Sequence, residues 1–190
     1  IQPLVLLPML GGGAALAASL FATRGGLLPG EASALNSGVL WGATNAAMIQ
    51  AALDPDGVST VMLGMISGQA LGLGAGFLVN HWTDATAGQI SFATSTGMWS
   101  GLLTFLTVAA TSDFDFDPRA AILTTLAMAD AGLVVGGFWA RAVPMSRGRS
   151  LVIDAATGLG GLVGGALALL AETDGVAVMG GAAVGILGGF

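Results

Sequence analysis

Long apolar stretches follow one another along this chain, broken only by short polar turns. A helix of about 20 residues crosses the ~30 Å hydrocarbon core of a bilayer, and the longer stretches reach that length. Only 8% of the residues are charged, against about 25% in an ordinary soluble domain. A water-facing surface cannot be covered with so few polar side chains, so lipid is the expected solvent. A membrane β-barrel would need short strands that alternate apolar and polar residues, with aromatic girdles. This chain has no tyrosine, and its apolar runs do not alternate. The expected fold is all-α: a polytopic transmembrane bundle in a single membrane domain, residues 1–190.

The stretches recur with a period of roughly 60 residues, which points to a helix-hairpin repeat. Ser37-Gly38-Val39-Leu40-Trp41-Gly42 returns as Ser95-Thr96-Gly97-Met98-Trp99-Ser100-Gly101, and more faintly as Ala156-Thr157-Gly158-Leu159-Gly160-Gly161. These mark the first helix of each hairpin. An acidic turn follows each one: 54–57, 113–118 and 172–175. A second apolar stretch comes next, at 58–80, 118–140 and 176–190, each with a phenylalanine near its end. The opening stretch, 4–23, resembles another second helix. That makes about seven helices in units of approximately 1–30 (partial), 31–88, 89–146 and 147–190. The chain opens at Ile1 inside an apolar stretch, which reads as a product lacking its upstream part. Asp before Pro is a good helix start, so Asp54-Pro55 and Asp117-Pro118 are both expected to cap second helices.

Glycine supplies 32 of the 190 residues and sits inside the apolar runs. Gly64, Gly68, Gly72 and Gly76 form one stripe on a helix, and Gly181, Gly185 and Gly189 form another. Leucine gains little by leaving lipid for protein, so membrane helices associate through close contact that small residues allow. These glycines are therefore the expected helix-packing positions, as a glycine zipper within the chain or against a second copy.

Few polar residues interrupt the apolar runs. Asp130 falls near the middle of a second helix, where an acid is costly and must be neutralised, paired or turned to water. Together with Asn45 and Gln69 it is the candidate intramembrane polar site. Asp154 is expected to pair with Arg147 or Arg149 at the interface. Asn36 and Gln50 read as interhelical hydrogen-bonding groups. The repeat aromatics Trp41 and Trp99 lie about a third of the way into their helices and read as structural knobs; Trp82 and Trp139 read as interface anchors. Arg24, Arg141, Arg147 and Arg149 lie on one side of the alternating topology, and most acids lie on the other. In an inner membrane the arginine side faces the cytoplasm. In an outer membrane that rule has no force.

Other chemistries lack their residues. There is no cysteine and one histidine, His81, so thiolate and multi-histidine metal sites are excluded. The sole histidine sits at an expected helix end with no acid and nucleophile to pair with it, so no Ser-His-Asp set is expected, and Gly11-Gly12-Gly13 lacks the strand and the Lys-Ser/Thr of a phosphate loop. Asp113-Phe114-Asp115-Phe116-Asp117 opens like a calcium loop but has no glycine or glutamate where one needs them. With net charge −6 and no basic stripe, nucleic acid is not an expected partner. No enzyme activity, catalytic residue, metal or cofactor is expected.

The Ser-Gly-x-x-Trp-Gly motif, the phenylalanine endings and the stretch from Ser146 to Asp154 resemble an uncharacterised family of exported bacterial Gly/Ala-rich helical-repeat membrane proteins. That resemblance implies export to the bacterial cell envelope and supplies no activity. A weaker similarity is to the glycine-zippered translocase channels of the mitochondrial inner membrane, through Phe138, Arg149, Asp154 and Gly160-Gly161. The arginine-to-acid spacing here is one residue longer than in that family, and the early glycine is displaced. The expected function is a tightly packed membrane scaffold in the lipid bilayer, assembling with copies of itself or with membrane-protein partners. The alternative is a channel or transporter with a polar path past Asp130.

Overall fold

The computed structural model describes residues 25–54, 57–112, 115–171 and 174–190. Within them the chain forms six helices: α1 (Pro29–Leu53), α2 (Val58–Thr83), α3 (Ala87–Thr111), α4 (Pro118–Ala142), α5 (Arg147–Leu170) and α6 (Gly175–Gly189). No strand occurs among the described residues. The stretch 4–23, read above as the first of seven helices, lies outside them. Three helices, α2, α4 and α5, are long and apolar enough to cross a membrane.

Local chemistry sets most of the boundaries. Thr86 accepts from the Gln89 backbone N–H while Gln89 Oε1 accepts from the Thr86 N–H, a reciprocal cap that starts α3. Asp117 precedes Pro118 and accepts from Arg119 N–H at 3.0 Å, starting α4. Ser146 caps α5 and Asp174 caps α6 in the same way. The expected cap at Asp54-Pro55 is corrected. Asp54 instead closes α1 in the left-handed region (φ 48°), its N–H bonded to the Gln50 carbonyl, and α2 starts after Gly57 (φ 88°). Aspartate is among the few non-glycine residues that tolerate that region, so an aspartate that precedes proline ends one helix here and begins another at α4.

Consecutive helices pair as three antiparallel hairpins, α1–α2, α3–α4 and α5–α6. The first helices stand side by side: α3 touches both α1 and α5. It also meets α6, and α4 leans on α1. Among the described helices α2 packs on α1 alone.

Glycine sets how closely the hairpins close. A β-carbon on Gly38 would overlap the Gly72 carbonyl, and one on Gly72 would overlap the Gly38 carbonyl. Gly42 and Gly68 meet in the same manner, Gly76 lies on the Ala34 carbonyl, and Gly64 lies against the Gln50 side chain. At the other end of the molecule Gly164 meets Gly181, Gly160 meets Gly185, and Gly189 lies on the Ala156 carbonyl. The middle hairpin is looser in composition: Gly132 and Gly136 receive Ser100 and Thr96, and Gly101 receives Ala129.

Large apolar side chains point outward, including Leu71 (76% exposed) and Leu170 (80%). Most buried positions hold Ala, Gly, Ser or Thr, with Phe92, Leu106, Leu126 and Ile186 the large exceptions, and Ser150 and Thr157 are fully buried. A water-soluble bundle distributes its residues the other way round.

Gly72→Ala is expected to force the α1–α2 backbones apart and to destabilise by about 1–3 kcal/mol. Gly74→Ala, with open space around the new methyl, is expected to stabilise by up to about 1 kcal/mol through helix propensity. Unfolding both variants in detergent by titration with a denaturing surfactant checks the contrast.

Candidate functional site

Trp41 stands at the midpoint of α1 and Asp130 at the midpoint of α4. The Trp41 indole N–H donates to Asp130 Oδ1 at 2.7 Å. Asn45, one turn along α1, donates to the same oxygen at 3.1 Å and to the Trp41 carbonyl at 3.1 Å. An aspartate at the centre of a membrane helix costs about 2.5–3.5 kcal/mol. Side-chain hydrogen bonds between membrane helices are worth about 0.6–2 kcal/mol each, so two converging donors offset much of that cost.

A parallel arrangement joins the next pair of hairpins. Trp99, at the midpoint of α3, donates to Asp154 Oδ1 at 3.0 Å, and Ser95 Oγ donates to Asp154 Oδ2 at 2.8 Å. The expected pairing of Asp154 with Arg147 or Arg149 is thereby corrected. Arg149 Nη1 instead reaches the Pro144 carbonyl at 3.4 Å. Five residues along a helix turn about 140°, so Arg149 and Asp154 leave α5 on different sides.

Both tryptophans also act as knobs. A β-carbon on Gly97 would lie 2.7 Å from Cη2 of Trp41, and one on Gly158 would lie 3.7 Å from Cη2 of Trp99. Each indole thus seats against a glycine on the next first helix while its N–H finds a carboxylate. Their depth is also corrected, from a third of the way in to the helix centre. The polar opening turns around Glu31 and Ser33 are helical and lengthen α1 at its start.

Hydroxyls complete the junctions between first helices. The Ser37 and Thr94 hydroxyls lie 2.6 Å apart, and Ser150 Oγ donates to Ser91 Oγ at 3.2 Å. Gln69 does not join Asp130 and Asn45: it is exposed on α2, which does not touch α4. Asn36 is also exposed, and Gln50 Nε2 donates to the Val61 carbonyl at 3.1 Å within the first hairpin. Trp82 and Trp139 are exposed near the ends of α2 and α4. Phe116, in the acidic turn before α4, is half-buried and meets Phe105 edge-on. Among the described residues no three His, Asp or Glu side chains gather in a way that could hold a metal ion.

A cleft of about 700 Å³ opens beside the first polar cluster. Its floor is α1; α2 forms one wall, and α3 and α4 form the other. Trp41 and Asn45 line it, and Asp130 lies behind them. Most of the lining is apolar or glycine, with Ile49, Leu71, Val79, Leu133 and Phe138 among it. Sequence reasoning found Asp130, Asn45 and Trp41 but had no signal for the cleft, because its walls belong to separate hairpins.

In a double-mutant cycle, Trp41→Phe and Asp130→Ala are expected to be non-additive, with a coupling of about 0.6–2 kcal/mol. Stability in detergent micelles is the readout, and additive losses would mean that the indole–carboxylate bond contributes nothing.

The chain matches no protein-family model, no curated protein and no solved structure, so these residues are read from their own chemistry.

Proposed function

We propose that this chain is a structural integral membrane protein: a scaffold of glycine-zippered helical hairpins that assembles with copies of itself or with other membrane proteins. The observation that carries the reading is the fate of the two acids within the helices. Asp130 and Asp154 each accept an indole N–H from a first helix and a further side-chain donor, so both serve as fasteners between hairpins. The small-residue interior and outward-facing leucines suit a lipid solvent, where contact between backbones replaces the hydrophobic effect as the source of association. On α2 the exposed Leu63, Ile66 and Phe77 offer an apolar surface to lipid or to a neighbour. Repetition of one hairpin design, and export to a bacterial cell envelope, belong to the same proposal.

One observation favours transport as a second reading. The cleft reaches Trp41 and Asn45, the two donors to Asp130. Its apolar walls favour the scaffold. Proteoliposomes loaded with a pH-sensitive dye separate the two. The scaffold predicts proton leak at the level of empty liposomes for both the wild type and Asp130→Asn. Flux well above that level in the wild type, abolished by Asp130→Asn, would establish transport and overturn the scaffold reading.

A further inference from the structure

The geometry points to the cleft bounded by α1, α2, α3 and α4 as a seat for one anionic phospholipid, one of its acyl chains between α2 and α4 and its phosphate on Arg141; this rests on the membrane reading above. The floor contributed by α1 runs from Ala34 to Ile49, about 22 Å along a helix axis. One leaflet of hydrocarbon is about 15 Å deep, so an acyl chain entering at one surface stays inside the cleft along its length. The walls are chemically suited to it, being mostly apolar, and α2 and α4 do not touch across the cleft.

Charge decides the headgroup. Arg141 is the single charged side chain among the described lining residues, and it sits in the last turn of α4. Thr83, in the last turn of α2, and Gln89, in the first turn of α3, line the same end. That end coincides with three helix boundaries, where a headgroup would lie. A guanidinium holds a phosphate through paired donors; a zwitterionic lipid offers the same phosphate but adds a quaternary ammonium that the arginine repels, so net charge sets the preference. One arginine near a membrane surface is worth about fivefold in preference for an anionic over a zwitterionic lipid.

Gly137 provides a position from which a larger side chain can reach into the cleft with its β-carbon in ordinary contact. It lines the cleft, and a β-carbon there would meet only Ala93 Cβ at 3.9 Å. The full chain, purified in mild detergent, is offered phosphatidylglycerol and phosphatidylcholine and examined by native mass spectrometry. The wild type is expected to retain one phosphatidylglycerol in about fivefold preference. Arg141→Ala should retain both lipids equally, and Gly137→Leu should retain neither while unfolding like the wild type. In parallel, p-benzoylphenylalanine replacing Gly137 is photolysed in phosphatidylglycerol nanodiscs. Cross-linking to lipid supports the proposal. Cross-linking to residues 1–24 of the same chain, or to a second copy, assigns the cleft to protein and overturns it, as does an unchanged preference in Arg141→Ala. Recovery of the chain as a monomer without any amphiphile would remove the membrane reading itself.

Discussion

Lipid removes the ordinary reason for helices to associate, because a leucine side chain is as well solvated by acyl chains as by protein. What remains is the approach of one backbone to another, and here that approach happens at glycine. Gly38 against Gly72 and Gly164 against Gly181 bring carbonyl oxygens to positions where any side chain would collide. Dispersion falls steeply with small gaps, so an added methyl at these points forfeits contacts along the whole hairpin. The outward leucines follow from the same constraint, since the bulky residues are displaced from the faces where backbones touch.

A second interaction operates between hairpins. The first helices meet through polar groups: Ser37 with Thr94, Ser91 with Ser150, and Ser95 with Asp154. Across the same junctions an indole from one first helix rests on a glycine of the next. Backbone contact closes each hairpin, and directional hydrogen bonds set one hairpin against its neighbour. The two acids share the indole donor and differ in the helix that offers them and in the second donor: α4 presents Asp130 to Trp41 and Asn45, and α5 presents Asp154 to Trp99 and Ser95.

Much of this was legible in the sequence because it is local. Asp117-Pro118 names a helix start, and four-residue spacing puts Gly64, Gly68, Gly72 and Gly76 on one line. The all-helical class follows from uninterrupted apolar runs. What stayed hidden depends on distance or on backbone conformation. Nothing in the letters distinguishes Asp54-Pro55 from Asp117-Pro118 until the left-handed residues at 54 and 57 are known. The donors to Asp130 lie 85 and 89 residues away, beyond the reach of any periodicity. Asp154 had basic neighbours in sequence, yet its partners come from another helix. Gln69 shared a residue type with the cluster and nothing more, since α2 and α4 do not touch.

The central claim is that lipid surrounds these helices while glycine contact fills the space between them. Spin labels on cysteines introduced one at a time along α2, at non-glycine positions from Val61 to Val79, read both halves of it, because the chain has no cysteine of its own. Oxygen, which concentrates in lipid, should relax labels at Ile66, Leu71 and Phe77 strongly, with minima beside the glycine face recurring at the helical period. A water-soluble nickel chelate should leave all of them untouched. Strong relaxation by the chelate along the middle of α2 would place this helix in water and contradict the account.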